Sequence, residues 1–121
     1  MEKSVMIVED ESIISFGYRM QLESMGFNVV GVAKSAEEAR QLMVSDRPDL
    51  LIMDIYLKGD MNGLDFVEDL HRVSPIPAIF LTASNNNDMI HRIEDLPNCD
   101  YIPKPVSGTK LREALQKHAI A

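Results

Sequence analysis

With 121 residues the chain has room for one hydrophobic core and no second folded unit, and 45% hydrophobic against 26% charged residues excludes a disordered or collagenous protein. A net charge of -7 without a cluster of cations argues against direct nucleic-acid binding, since phosphate backbones would be repelled. No apolar run approaches bilayer length, and the N-terminal "MEKSVMIVEDE" has acids where a signal peptide needs an apolar stretch, so a cytoplasmic protein with no membrane partner is expected. Cys99 is the only cysteine; it is read as a small core residue without a chemical role.

Five short β-rich runs alternate with five segments of helical period, which predicts a parallel sheet covered by helices on both faces. The first run, "SVMIV" (4–8), leads into Glu9, Asp10 and Glu11. Ile14, Tyr18, Leu22 and Met25 then form one helical stripe, closed where Gly26 tolerates a positive φ. Met6, Met20, Met25 and Met43 are read as gap-filling apolar residues. After "NVVGVA" (28–33), Ser35 and Glu38 have capping-box spacing, and Ala36, Ala39, Leu42 and Met43 share a face until Pro48 ends the helix.

The third run, "LLIM" (50–53), meets Asp54 and the loop "YLKGDMNG", in which Asp60 and Asn62 are expected to shape a turn and cap the next helix. Leu64, Val67, Leu70 and Val73 give that helix its apolar stripe, and Pro75 and Pro77 stop it. "AIFL" (78–81) is followed by Thr82, Ala83 and Ser84; three asparagines at 85 to 87 then open a fourth helix through Ile90 and Ile93. The last run, "YI" (101–102), is followed by Pro103, Lys104 and Pro105. Val106 and Leu111 are spaced as a hydrophobic staple around Ser107, where the fifth helix begins and runs through Leu115. The second and fifth runs are the weakest strands and are assigned to the sheet edges. His71, His91 and His118 lie in helical segments without metal-ligand company and are read as solvated. The expected organisation is one domain over 1–121, and Met1 directly before the first strand suggests that it opens its protein.

In a parallel sheet the residues just past each strand's C-terminal end gather along one edge, where open α/β sheets bind ligands. Here that edge collects carboxylates, a hydroxyl and an ammonium group: Glu9, Asp10, Asp54, Thr82 and Lys104. By analogy with flavodoxin-like sheets the strand order is 2-1-3-4-5, which brings Asp10 and Asp54 together. Close carboxylates share a proton or bind a cation, and oxygen-only ligands favour a hard ion such as Mg²⁺. A carboxylate nucleophile, a hard metal and fixed donors are the equipment of phosphoryl transfer.

"IVEDES", "LLIMDIYLKGDMNGLDF", "IFLTAS" and "YIPKPV" stand in order at strand ends and together resemble the motifs of response-regulator receiver domains of two-component signalling. The resemblance implies a flavodoxin-like, doubly wound (βα)5 fold. It implies that Asp54 accepts a phosphoryl group from a histidine kinase or histidine phosphotransfer protein. Asp10 would be a direct Mg²⁺ ligand beside Asp54, Glu9 would act through water, and Tyr56 would lend its backbone carbonyl. Lys104 would pair with phosphoryl oxygens, Thr82 would move to hydrogen-bond them, and Tyr101 falls at the aromatic switch position. Pro105 would follow a cis peptide. The responding face would be helix four, strand five and helix five, roughly Asn86 to His118, engaging an output domain, a target protein or a second copy. Such a domain assists its own phosphorylation and dephosphorylation and is not a turnover enzyme.

Several residues depart from the family pattern. Glu9 is longer than the usual aspartate, Lys58 stands where proline is common, and Gly63 comes one residue late, which lengthens the loop after Asp54. Tyr56 and Ser84 flank the site, and the bulk of Tyr56 predicts slow spontaneous dephosphorylation. Other functions fit less well. A phosphatase resembling haloacid dehalogenases wants an Asp-x-Asp nucleophile motif, and a flavin module wants a glycine-rich phosphate loop where this chain has "EDE". The serious alternative is a receiver-like module that binds its partner without phosphorylation; the retained acids, threonine and lysine argue against it.

Overall fold

The computed structural model describes residues 3–57, 62–82 and 87–118, the last without its side chain. Lys58, Asp60, Ser84, Asn85 and Asn86 lie outside the described residues, and with them the expected turn at Asp60, the start of the fourth helix and the flanking role of Ser84. Strands and helices alternate along the chain: β1 (Ser4–Val8), α1 (Ser12–Ser24), β2 (Asn28–Ala33), α2 (Ala36–Ser45), β3 (Leu50–Asp54), α3 (Gly63–His71), β4 (Ala78–Thr82), α4 (Asn87–Glu94), β5 (Cys99–Pro103) and α5 (Gly108–His118). The sheet is parallel throughout in the order β2-β1-β3-β4-β5, so the flavodoxin-like expectation holds and the two weak strands are the edges.

Burial explains the apolar runs. Along β1, Val5 and Ile7 point into one core with Leu22 of α1 and Leu111 and Leu115 of α5. Met6 and Val8 point into the other, with Ala36 and Ala39 of α2, Phe66 and Val67 of α3 and Ile93 of α4. A central strand therefore has no polar face, and each buried aliphatic contributes about 1.5–3 kcal/mol. On β3 and β4 the one polar residue is the last, Asp54 and Thr82.

The helix ends follow the local chemistry of the sequence. Gly26 takes a φ of 91°, and the N–H groups of Gly26 and Phe27 reach back to the carbonyls of Glu23 and Leu22 (both 3.1 Å), satisfying the end of α1. Ser35 Oγ accepts from the Glu38 N–H at 3.1 Å, and Asn62 Oδ1 accepts from the Asp65 N–H at 2.8 Å. Ser107 Oγ does the same for Lys110 at 3.1 Å, with Leu111 buried and Val106 packed on the same core.

Three expectations need correction. Val73 is 90% exposed: α3 ends at His71, and the chain turns through bonds from Val73 and Ser74 to the Leu70 carbonyl before Pro75. Phe66, fully buried, completes the stripe instead. Met20 is not a gap filler but exposed, because α1 turns Leu22 and Tyr18 to the sheet and leaves Ile13, Phe16 and Met20 outside. His71 is not solvated: its Nε2 lies 2.7 Å from the Ile76 carbonyl oxygen and 3.8 Å from Cys99 Sγ, and its Nδ1 is buried. Cys99 itself is half-buried, its thiol pushed up to about 11 by burial, in keeping with a packing role.

Candidate functional site

Asp54 is the last residue of β3, and the strand's burial carries its carboxylate into a position only 7% exposed. Its Oδ1 accepts from the Tyr56 N–H at 3.1 Å, and its Oδ2 lies 3.6 Å from Lys104 Nζ. One oxygen is thus fixed by the backbone of its own loop and the other faces a cation from the far side of β4. At the start of α3 the Gly63 N–H donates to the Ile55 carbonyl at 2.8 Å. A Cβ on Gly63 would stand 2.2 Å from the Asp54 carbonyl oxygen and 2.7 Å from Met53 Cγ, so α3 can begin here only on glycine.

Glu9 and Asp10 follow β1, the neighbour of β3. The Glu9 N–H donates to the Ala33 carbonyl at 2.9 Å, which anchors the residue to β2, and Glu9 Oε2 accepts from the Asp10 N–H at 2.8 Å. Glu9 is 2% exposed, and carboxylate oxygens of Glu9, Asp10 and Asp54 all lie within 4.8 Å of one another. Burial drives the Glu9 carboxyl up to about 8, helped by hydrogen bonding to Asp54 and Asp10 and by the Asp54 charge, while Lys104 pulls the other way. At that separation two unit charges repel by about 3–4 kcal/mol for an effective dielectric near 20. A single lysine cannot neutralise all three acids once Glu9 gives up its proton. The donor set of three hard oxygens fits Mg²⁺, the ion the sequence implies, and Glu9, Asp10 and Asp54 are the residues that would hold it.

The remaining expected residues surround this centre unequally. Tyr56 supplies its N–H to Asp54 while its side chain is 51% exposed. Thr82 ends β4 at 3% exposure, and its carbonyl accepts from the Lys104 N–H at 2.7 Å, which ties the lysine's backbone to that strand. The Lys104–Pro105 peptide is cis, as expected. Tyr101 pairs opposite Phe80 on β5 and is half-buried against the core that α3 and α4 share. Two residues near the centre carried no role in the sequence reading. Gly63 is one; its signal is a glycine standing directly after the loop that follows Asp54. Tyr18 is the other: burial, then the charges of Glu9 and Asp54, push its phenol up to about 12.

A parallel flavodoxin-like sheet with carboxylates gathered at its switch point and a lysine facing them defines a doubly wound α/β domain with an acidic ligand edge. The model of the response regulator receiver domain matches residues 5–116, and the chain belongs to that family. It is 39% identical over 84 residues to the phyllosphere-induced regulator PhyR of Methylorubrum extorquens, covering 69% of this chain and 32% of that protein. It is 31% identical to the transcriptional regulatory protein PdtaR of Mycobacterium tuberculosis, over 94% of this chain and 55% of the relative. The chain thus spans about a third to a half of these curated relatives. Among solved structures, the receiver domain of a modulated diguanylate cyclase from Desulfovibrio desulfuricans superposes with a TM-score of 0.87 at 31% identity, covering 99% of this chain and 95% of that one.

Proposed function

We propose that the chain is a phosphoacceptor that takes a phosphoryl group onto Asp54 from the phosphohistidine of a histidine kinase or histidine phosphotransfer protein. The observation that carries this reading is the pairing of a buried Asp54, oriented by the Tyr56 N–H, with Lys104 on one side and Glu9 and Asp10 on the other. An Asp54 carboxylate oxygen attacks phosphorus, the bond from phosphorus to the donor's imidazole nitrogen breaks, and that nitrogen leaves with the electron pair. Mg²⁺ bound by Glu9, Asp10, Asp54 and the Tyr56 carbonyl would supply charge neutralisation for the phosphoryl oxygens. Lys104 adds a point charge to the same oxygens, and Thr82 moves in to hydrogen-bond them. The exposed Tyr56 ring screens the product from attacking water.

The consequence is a switch. An acyl phosphate carries more negative charge than the carboxylate it replaces, and drawing Thr82 and Lys104 toward it biases the face made by α4, β5 and α5, with Tyr101 following. That face would engage an output domain, a target protein or a second copy of the chain. Residues 1–121 would act as one domain in the cytoplasm, without turnover of a substrate; among the described residues no helix is long and apolar enough to cross a membrane. Incubation with acetyl phosphate and Mg²⁺, followed by intact-mass measurement, tests the assignment. The wild-type chain gains one phosphoryl group and Asp54→Asn gains none; uptake by Asp54→Asn would refute it.

A further inference from the structure

Arg92 ties helix α4 to α3. Arg92 Nη2 donates to Asp65 Oδ1 at 2.8 Å and to Glu68 Oε1, while Nε donates to Glu68 Oε2 at 3.2 Å. The apolar attachment beside it is thin. Ile93 is the buried residue of α4, with Met89 partly buried, whereas α3 buries Gly63, Leu64, Phe66 and Val67. The anchoring end of the clasp is rigid, because the Asp65 N–H is capped by Asn62 and the same first turn sits against the Asp54 carbonyl through Gly63. The other end is on the helix that follows β4 and Thr82.

We propose that the Arg92 clasp is a conformational latch that holds α4 against α3 in the resting protein and sets how readily the domain passes to its responding form. This rests on the phosphoacceptor reading above, since the phosphoryl group on Asp54 is what works against the latch. The three side chains are 39%, 45% and 34% exposed, so the latch is partly screened and weakens with salt, unlike an apolar contact. Arginine is required for its fork: Asp65 and Glu68 are one helical turn apart, and a single planar guanidinium reaches both. Loss of the latch leaves the apolar contacts of Ile93 in place, so α4 loosens without the domain unfolding.

Peptide-resolved hydrogen exchange and beryllofluoride titration in Mg²⁺ on the full chain test this with Arg92→Gln and Arg92→Lys. Arg92→Gln is expected to raise exchange across 87–94 by roughly tenfold with β1 and β3 unchanged, and to lower the half-saturating beryllofluoride concentration by roughly the same factor. Arg92→Lys falls between, keeping charge without the fork. Raising salt from roughly 0.05 to 0.5 M loosens α4 in the wild type and not in Arg92→Gln. Exchange that is unchanged, or raised over the whole chain, overturns the latch, as does an unshifted titration. If the wild type itself takes no beryllofluoride, the phosphoacceptor reading fails, and the coupling of the latch to it fails as well, whatever the exchange shows.

Discussion

Helices α3 and α4 border the same core yet are held by different physics. α3 starts on Gly63 pressed against the Asp54 carbonyl, is capped by Asn62 and buries Phe66 completely. α4 buries Ile93, packs Met89 only partly against the same core and carries the ion pairs of Arg92. Dense apolar packing is stiff and nearly insensitive to salt, whereas partly exposed ion pairs are adjustable. One helix marks where the domain holds still and the other where it yields. The acids and the first turn of α3 belong to the rigid half, and the helix beyond Thr82 to the compliant one.

The largest expected effect would break the rigid half outright. Gly63→Ala forces a Cβ onto backbone and should cost about 3 kcal/mol or more in urea denaturation, because a carbonyl oxygen cannot step aside like a flexible side chain. Next comes the electrostatic load that half carries. A Glu9 carboxyl near 8 in the folded state, against an ordinary 4.5, means the folded protein retains a proton the unfolded chain has lost. Stability in chelator is then fully present below about pH 4.5 and is lost as pH rises through about 8, so Tm falls across that range. Glu9→Gln should flatten that profile, and Mg²⁺ should reverse the loss at the alkaline end. A profile that rises over this range would contradict the burial of Glu9.

The fold was legible because its signals are local. Ser35, Ser107, Gly26 and the proline stops each act on the next turn of chain, and continuous apolar runs distinguish strands covered on both faces. The candidate site is legible for a related reason: a parallel sheet sends every strand end to one edge, so the sequence alone groups Asp10, Asp54, Thr82 and Lys104. What stayed hidden depends on relations between distant segments. Arg92 gave no hint in sequence of Glu68 and Asp65, which lie 24 and 27 residues away. Val73 was misread because helical spacing continues past the last helical residue, and His71 because its partner, the Ile76 carbonyl, belongs to a loop.

Smaller effects sharpen the same contrast. Asn62→Ala removes the α3 cap and should cost about 1 kcal/mol by urea denaturation, spread over the cooperative unit rather than confined to α3. A loss below about 0.3 kcal/mol would show the first turn to be held by Gly63 and packing alone. Least of all, Tyr56→Ala should shorten the lifetime of the phosphorylated form only two- to fivefold, about 0.5–1 kcal/mol of barrier, since an exposed ring screens water incompletely. An unchanged lifetime would remove Tyr56 from the account of water access.

Borohydride treatment of the phosphorylated chain, followed by peptide sequencing, tests the central claim most directly, because an acyl phosphate is reduced to the alcohol and converts the acceptor aspartate to homoserine. Homoserine at position 54, with Asp10 and Glu9 intact, is the predicted result. Homoserine at position 10, or a phosphoryl group that survives borohydride on a hydroxyl or imidazole, would contradict it.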